Sequence, residues 1–288
     1  MAAIHTYLDT AVRLANEYKP PLPFHHYLKK YFTANKKHGS RDRKVISALG
    51  YSCFRLGKNF SDIPVQKKML IGLAVCHPEL FNTEWLTEIP AFPFISEAFI
   101  NSSPGEKLAV LKAETSFTTD LLFPFAGKLS SLENPEAFIA SILQRPLVWI
   151  RARKNKTEKV AELLQSNKIG WLPHPLLPNA FGLPQQTDIE KALGQRYYHL
   201  AEVQDGSSQL ATTQIETKPR EKLWDCCCGA GGKSLYIKDI EPGVALYCSD
   251  IRPQILTNLD ERFKQAGMPI PFTATIDNSV RAQRISFE

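Results

Sequence analysis

The sequence predicts a multidomain protein: an all-α N-terminal domain, a small α+β subdomain, and then part of a doubly wound α/β domain. Three observations predict it. Apolar residues recur at helical spacing through the N-terminal half, punctuated by prolines. The composition shifts at Gln144-Arg145-Pro146, after which strand-like runs alternate with helical ones. Beyond Glu202 a strand breaks into a glycine-rich turn that opens a helix, and two more strands come after it. The segments divide at 1–145, 146–200 and 201–288.

In the first segment Ile4, Leu8, Ala11 and Ala15 make an amphipathic helix, ended by Pro20-Pro21-Leu22-Pro23. Helices are expected over Phe24–Asn35, Asp42–Gly57 and Val65–Val75, the second with Val45, Leu49, Cys53 and Leu56 on one stripe. Pro90, Pro93 and Pro104 punctuate the next stretch, before helices over Glu106–Glu114 and Pro135–Leu143. In the second segment Leu147–Ile150 reads as a strand, Thr157–Asn167 as a helix with Val160, Leu163 and Leu164 inward, and Trp171-Leu172 as the start of another strand. Asp205 or Ser207 caps the helix that enters the third segment.

The third segment carries the site. Leu223–Cys228 reads as a short buried parallel strand. Gly229, Gly231 and Gly232 permit positive φ and keep Cβ atoms away from the backbone, and Lys233–Ile240 is helical. A helix N-terminus after such a turn presents free N–H groups to a carboxylate or phosphate. About twenty residues on, Val244–Cys248 forms a second strand ending in Ser249-Asp250. An acid at that strand tip is placed to take both hydroxyls of a ribose. The competing reading is an ordinary turn, with Asp250 only capping the next helix. The spacing is neither GxGxxG nor GxxxxGK[ST], so Lys233-Ser234 does not argue for ATP. A helix over Pro253–Ala266 and a third strand, Phe272–Ile276, ending at Asp277, complete the segment.

Composition is that of a globular protein, 43% hydrophobic and 22% charged, with no apolar run of membrane-spanning length. No secretory signal is visible at Met1–Thr10, so a cytoplasmic location is expected. The six cysteines, three of them consecutive, do not make a disulfide framework. No metal site is expected: adjacent cysteines on a strand point to opposite faces, and no Cys-x-x-Cys or His-x-x-x-His accompanies them. The net charge of +6 is concentrated. Between His25 and Lys44, Lys29, Lys30, Lys36, Lys37, Arg41, Arg43 and Lys44 face one acid, Asp42, with Tyr27, Tyr31 and Phe32 interleaved. Such a cluster fits phosphate neutralisation, although a solvated helical face has the same composition. Arg151, Arg153 and Lys154 form a smaller group after the first strand.

Asp225-x-Cys227-x-x-x-Gly231-Gly232-Lys233-Ser234 resembles the first cofactor motif of the Sun/Fmu family of RNA (cytosine-5) methyltransferases, usually Asp-x-Cys-Ala-Ala-Pro-Gly-Gly-Lys-Thr. Cys228, Gly229 and Ala230 stand where the family has Ala-Ala-Pro. Glu202-Val203-Gln204-Asp205-Gly206-Ser207-Ser208-Gln209 resembles the family's Val-Gln-Asp-x-x-Ser-Gln junction, and Pro146–Arg151 its Pro-x-x-Trp-Ile-Arg opening of a small RNA-facing subdomain. Ser40–Leu56 is similar to a helix of the family's N-terminal domain, which resembles the RNA-binding factor NusB. The resemblance implies a Rossmann-like domain binding S-adenosylmethionine. Cys227, Cys228, Gly229, Ala230, Gly231, Gly232 and Lys233 would cradle the methionine end, Asp250 the ribose, and Asp277 would lie near the adenine. It also implies ribosomal RNA as partner, met by the basic cluster together with Arg151 and Arg153.

The family's covalent nucleophile is a Cys in a Pro-Cys or Thr-Cys motif after the third strand. No cysteine here follows Pro or Thr, and none lies beyond Cys248, so no catalytic residue is assigned. The expectation is a chain lacking the catalytic half, with its first strand at a naked sheet edge that a partner or second copy would cover. The alternatives are an RNA-binding module with a vestigial cofactor domain, and a small-molecule methyltransferase.

Overall fold

The computed structural model describes residues 4–85, 92–128, 134–185 and 187–279; Pro90 and the last nine residues of the third segment, 280–288, lie outside them. The chain divides into two compact units, 1–146 and 147–288. No helix among the described residues is long and apolar enough to cross a membrane.

The first unit is helical. Helices Ile4–Glu17, Phe24–Ala34, Ser40–Arg55 and Val65–Cys76 surround one core containing Leu8, Leu28, Leu49 and Met69. The last of these is buried at every position from Met69 to Cys76, which makes it the central helix. Gly72 is required there: a Cβ would lie 2.8 Å from the carbonyl oxygen of Ser52 on the neighbouring helix. A second core, with Ile71, Phe99, Leu111 and Ile139, joins that helix to Glu97–Asn101, Pro104–Glu114, Thr119–Leu122 and Pro135–Ile142. The long helices match the sequence expectation within about two residues. Glu97–Asn101 and Thr119–Leu122 are additions to it, being too short to show a period; Ser96 and Thr118 cap them through their side chains.

The second unit begins with a four-stranded antiparallel sheet, β1 Val148–Ala152, β2 Leu172–His174, β3 Leu177–Leu183 and β4 Ala201–Val203, in the order β2-β3-β1-β4. The expected β-α-β order is present as β1, helix Thr157–Ser166 and β2; β3 is an addition that lies between these two strands and pairs antiparallel with both, and β4 is a further addition on the other side of β1. β3 is illegible in the sequence because it contains Pro178 and Gly182, both strand breakers. Gly182 makes room for β1: a Cβ would meet Leu147 Cδ1 at 2.7 Å and Trp149 Cη2 at 2.9 Å. Helix Thr157–Ser166 buries Val160 and Leu164 against this sheet.

A three-stranded parallel sheet comes next, β5 Lys222–Asp225, β6 Ala245–Asp250 and β7 Phe272–Thr275, ordered β5-β6-β7 with β5 at one edge. Helices Gly232–Ile240 and Pro253–Gln265 pack Leu235, Ile237, Leu256, Leu259 and Phe263 against Leu246 and Cys248. Across the sheet Trp224, Tyr247 and Phe272 fall in one register row. The first strand ends at Asp225, short of Cys228, so the three cysteines belong to the turn and the alternation of strand faces does not apply to them.

Candidate functional site

The turn between β5 and helix Gly232–Ile240 is built from its glycines. Gly229 (φ +52) and Gly231 (φ +79) are left-handed. Gly229 has open space where a Cβ would stand, whereas a Cβ on Gly231 would lie 2.8 Å from Leu259 Cγ. No side chain caps the helix after the turn, which leaves its first N–H groups for another acceptor. Asp225 and Ser234 close the base of the turn, Ser234 Oγ donating to Asp225 Oδ2 at 2.7 Å.

Three strand tips converge beside it. Gly229 N–H donates to Asp250 Oδ2 at 3.0 Å, Cys228 N–H to the Ser249 carbonyl at 3.0 Å, and Ile276 N–H to the Asp250 carbonyl at 3.1 Å. Asn278, just past β7, donates to the Cys226 carbonyl at 2.5 Å. Asp250 is buried, and its carboxylate is gripped by the exposed Arg252 through Nε at 2.9 Å and Nη2 at 3.2 Å. That guanidinium, aided by the N–H groups of Arg252 and Gly229, lowers the Asp250 carboxyl to about 2. Asp277 accepts from the N–H and hydroxyl of Ser279, which holds its carboxyl below the usual range.

The structure thus brings Gly229 directly to Asp250, with Cys228, Ala230, Gly231, Gly232 and Lys233 on the same turn and Asp277 one strand away. Cys226 and Cys227 are exposed, and Cys228 is buried. The Cys228 thiol is pushed well up, first by its hydrogen bond to the Cys248 thiol and then by burial; burial also raises Cys226.

Arg151 and Arg153 are corrected. The resemblance places both on an RNA-facing surface, and both are buried, at 0% and 7% exposure. Arg151 Nη1 donates to Asp239 Oδ2 at 2.6 Å, and Arg153 Nε to Asp239 Oδ1 at 2.8 Å. The signal that could have found this is alternation: Arg151, in β1, and Arg153, just past its end, are two residues apart and point to the same side, where both meet Asp239 of helix Gly232–Ile240. Sequence reasoning also missed Glu202, Gln204 and Arg262. Arg262 Nη1 donates to the Ala230 carbonyl at 2.8 Å, while Gln204 lies beside Gly232 and accepts from Arg151 Nε at 3.0 Å.

In the first unit Lys29, Lys30, Lys36, Lys37, Arg41 and Lys44 are exposed, and Arg43 is half-buried over the Phe32 ring, donating to the His38 carbonyl. Asp42 does not oppose the cations as a free charge: it accepts from Tyr7 Oη at 2.8 Å and from Gly39 N–H at 2.8 Å. The interleaved aromatics face inward, Phe32 in the core and Tyr27 and Tyr31 packed against it. The cluster is therefore a cationic surface rather than a stacking platform.

No protein-family model matches the chain. Ribosomal RNA small subunit methyltransferase B of Enterobacter sp. (strain 638) is 27% identical over 135 residues, 46% of this chain and 31% of that protein. The protein of the same name from Escherichia coli O6:K15:H31 (strain 536 / UPEC) is 26% identical over 138 residues, 47% of this chain and 32% of its own length. The chain spans about a third of the length of these curated relatives. Among solved structures, the crystal structure of PH0851 superposes with a TM-score of 0.56 at 15% identity, over 94% of this chain and 68% of that one, which shows a shared fold. In sequence the chain is thus similar, over just under half its length, to proteins named ribosomal RNA small subunit methyltransferase B, and in fold it is similar to PH0851 over 94% of its length.

Proposed function

We propose that residues 201–279 bind S-adenosylmethionine, and that the chain is the donor-binding and RNA-binding part of an RNA (cytosine-5) methyltransferase acting on ribosomal RNA. The observation that carries this reading is the pairing of Gly229 with Asp250 beside an uncapped helix end. The residues fit the cofactor. The open space at Gly229 admits a ligand against the backbone, and the free N–H groups of the helix suit the methionine carboxylate. Asp250, whose carboxyl is lowered to about 2, would accept from ribose hydroxyls, and Asp277 would lie near the adenine. A ribose would take the place of Arg252, whose side chain is 65% exposed. When bound, S-adenosylmethionine supplies a methyl group on a sulfonium centre.

The turn cysteines are not assigned as nucleophiles, because they would abut the methionine end of the cofactor and not a flipped base. Burial raises the Cys226 thiol, and the Cys248 thiol together with burial raises that of Cys228, which disfavours the thiolate that attack on a pyrimidine needs. The cations Lys29, Lys30, Lys36, Lys37, Arg41, Arg43 and Lys44 would bind RNA phosphates without reading sequence.

Calorimetric titration with S-adenosylmethionine tests the reading. Wild-type chain binds and Asp250→Ala does not; a wild-type chain that fails to bind sinks it. The occupied Asp250 carboxylate favours one other function, an RNA-binding module with a vestigial cofactor domain. Salt-dependent RNA binding without nucleoside binding would mark that case.

A further inference from the structure

Five charged side chains run unbroken from the glycine turn to the helix it opens. Arg262, on helix Pro253–Gln265, donates from Nη1 to the Ala230 carbonyl at 2.8 Å and from Nη2 to Glu202 Oε2 at 2.9 Å. Glu202, on β4, is 1% exposed and meets Arg153 Nη1 with its other oxygen at 3.4 Å. Arg153, just past β1, and Arg151, within it, both hold Asp239, which sits in helix Gly232–Ile240. The two ends of this chain of charges therefore grip the two parts of the candidate site, the turn and the helix whose first N–H groups face it.

We infer that Arg262 and Glu202 are positioning residues of the glycine turn, holding the Ala230–Gly231 peptide against the antiparallel sheet so that the cradle is formed before any ligand arrives. The inference rests on the reading of that turn as an S-adenosylmethionine site. The Ala230 carbonyl and the Gly231 N–H belong to one rigid peptide plane, so fixing one fixes the other. Gly231 N–H bonds Cys228 O at 2.9 Å, and the turn is held from both sides. Buried ion networks of this kind add little net stability but can specify geometry. A planar guanidinium can serve a carbonyl and a carboxylate at once, which an ammonium on the same stem cannot do in the same directions. The antiparallel sheet, on this view, belongs to the cofactor site's frame.

The test compares Arg262→Met and Arg262→Lys with a surface control, Lys159→Ala. Two readouts are taken: the amide NMR shifts of Gly229, Gly231 and Gly232 in free protein, and affinity for S-adenosylmethionine. Arg262→Met should move the glycine amides and weaken binding about tenfold, the equivalent of one charge-assisted hydrogen bond. Arg262→Lys keeps the charge beside Glu202 and should keep the fold while still moving the amides, so it decides the matter if the Met variant does not fold. Glycine amides left in place, with affinity within about twofold of wild type, would overturn the inference. If wild type itself binds no S-adenosylmethionine, the cofactor reading fails separately and the amide shifts alone judge the positioning role.

Discussion

Gly231 and Leu259 stand so close that no side chain fits between them: a Cβ on Gly231 would reach Leu259 Cγ at 2.8 Å. Gly231 is also left-handed, at φ +79. Gly231→Ala therefore meets backbone strain and overpacking together, and should cost about 2 kcal/mol or more. Gly229→Ala meets only the strain, about 1 kcal/mol, because its Cβ would point into open space. Yet that space is where a ligand would approach, so Gly229→Ala should lose more nucleoside affinity than stability. Denaturant melts and calorimetric titration of both variants check the ordering.

Asp250 gives an acid-side prediction. Its folded carboxyl lies at about 2, below the value near 3.9 of an unfolded chain. The unfolded state thus takes up the proton first, and the stability Asp250 contributes is complete above about pH 4. It is lost as the pH falls toward 2. Asp250→Asn should be less stable than wild type at neutral pH, with the gap closing in acid. Urea midpoints between pH 7 and pH 2 measure it.

In the ion network the two signs are unequal. Asp239→Ala leaves Arg151 and Arg153 without their shared carboxylate and should destabilise the second unit by about 3–5 kcal/mol. Arg151→Met should cost less, because Asp239 keeps Arg153 and the Arg151 Nη2 atom already lacks a hydrogen-bond partner. Chemical denaturation of the two variants compares them directly.

His77 makes the helical unit acid-sensitive. Neither ring nitrogen is within hydrogen-bond distance of a partner, Glu79 standing 3.6 Å from Nδ1; burial pushes the ring down to about 4, with Arg145 adding to the effect and Glu79 opposing it. An unfolded histidine titrates near 6.5. Stability should therefore fall between about pH 6.5 and 4 as the unfolded chain binds the proton the native one refuses. His77→Phe should remove this part of the pH dependence, visible in thermal melts across that window.

Lys36, Lys37 and Arg41 are exposed around the loop between two helices. Replacing all three with Ala should weaken RNA binding uniformly across sequences. The salt slope should fall by about 0.7–0.9 for every phosphate that no longer meets a cation. Arg151→Met should leave that slope unchanged, because the residue it replaces is buried. Filter binding over a salt series distinguishes the two.

Local rules are enough for much of this molecule. The 3.6-residue period of the long helices, prolines and glycines as stops, and the strand–turn–helix order around Gly229, Gly231 and Gly232 are written within a few residues of chain. So is the offset of Asp250, because consecutive parallel strands place the second tip beside the first turn. β3 is hidden by Pro178 and Gly182, whose local preferences oppose a strand that its neighbours nevertheless impose.

The roles of Arg151, Arg153 and Arg262 belong to the tertiary structure alone. A cation in solvent and a cation locked to a buried carboxylate look the same in a string of letters, since the partner Asp239 lies 88 residues from Arg151. Charge composition reports how many charges a segment carries; only folding decides which of them keep water as a neighbour.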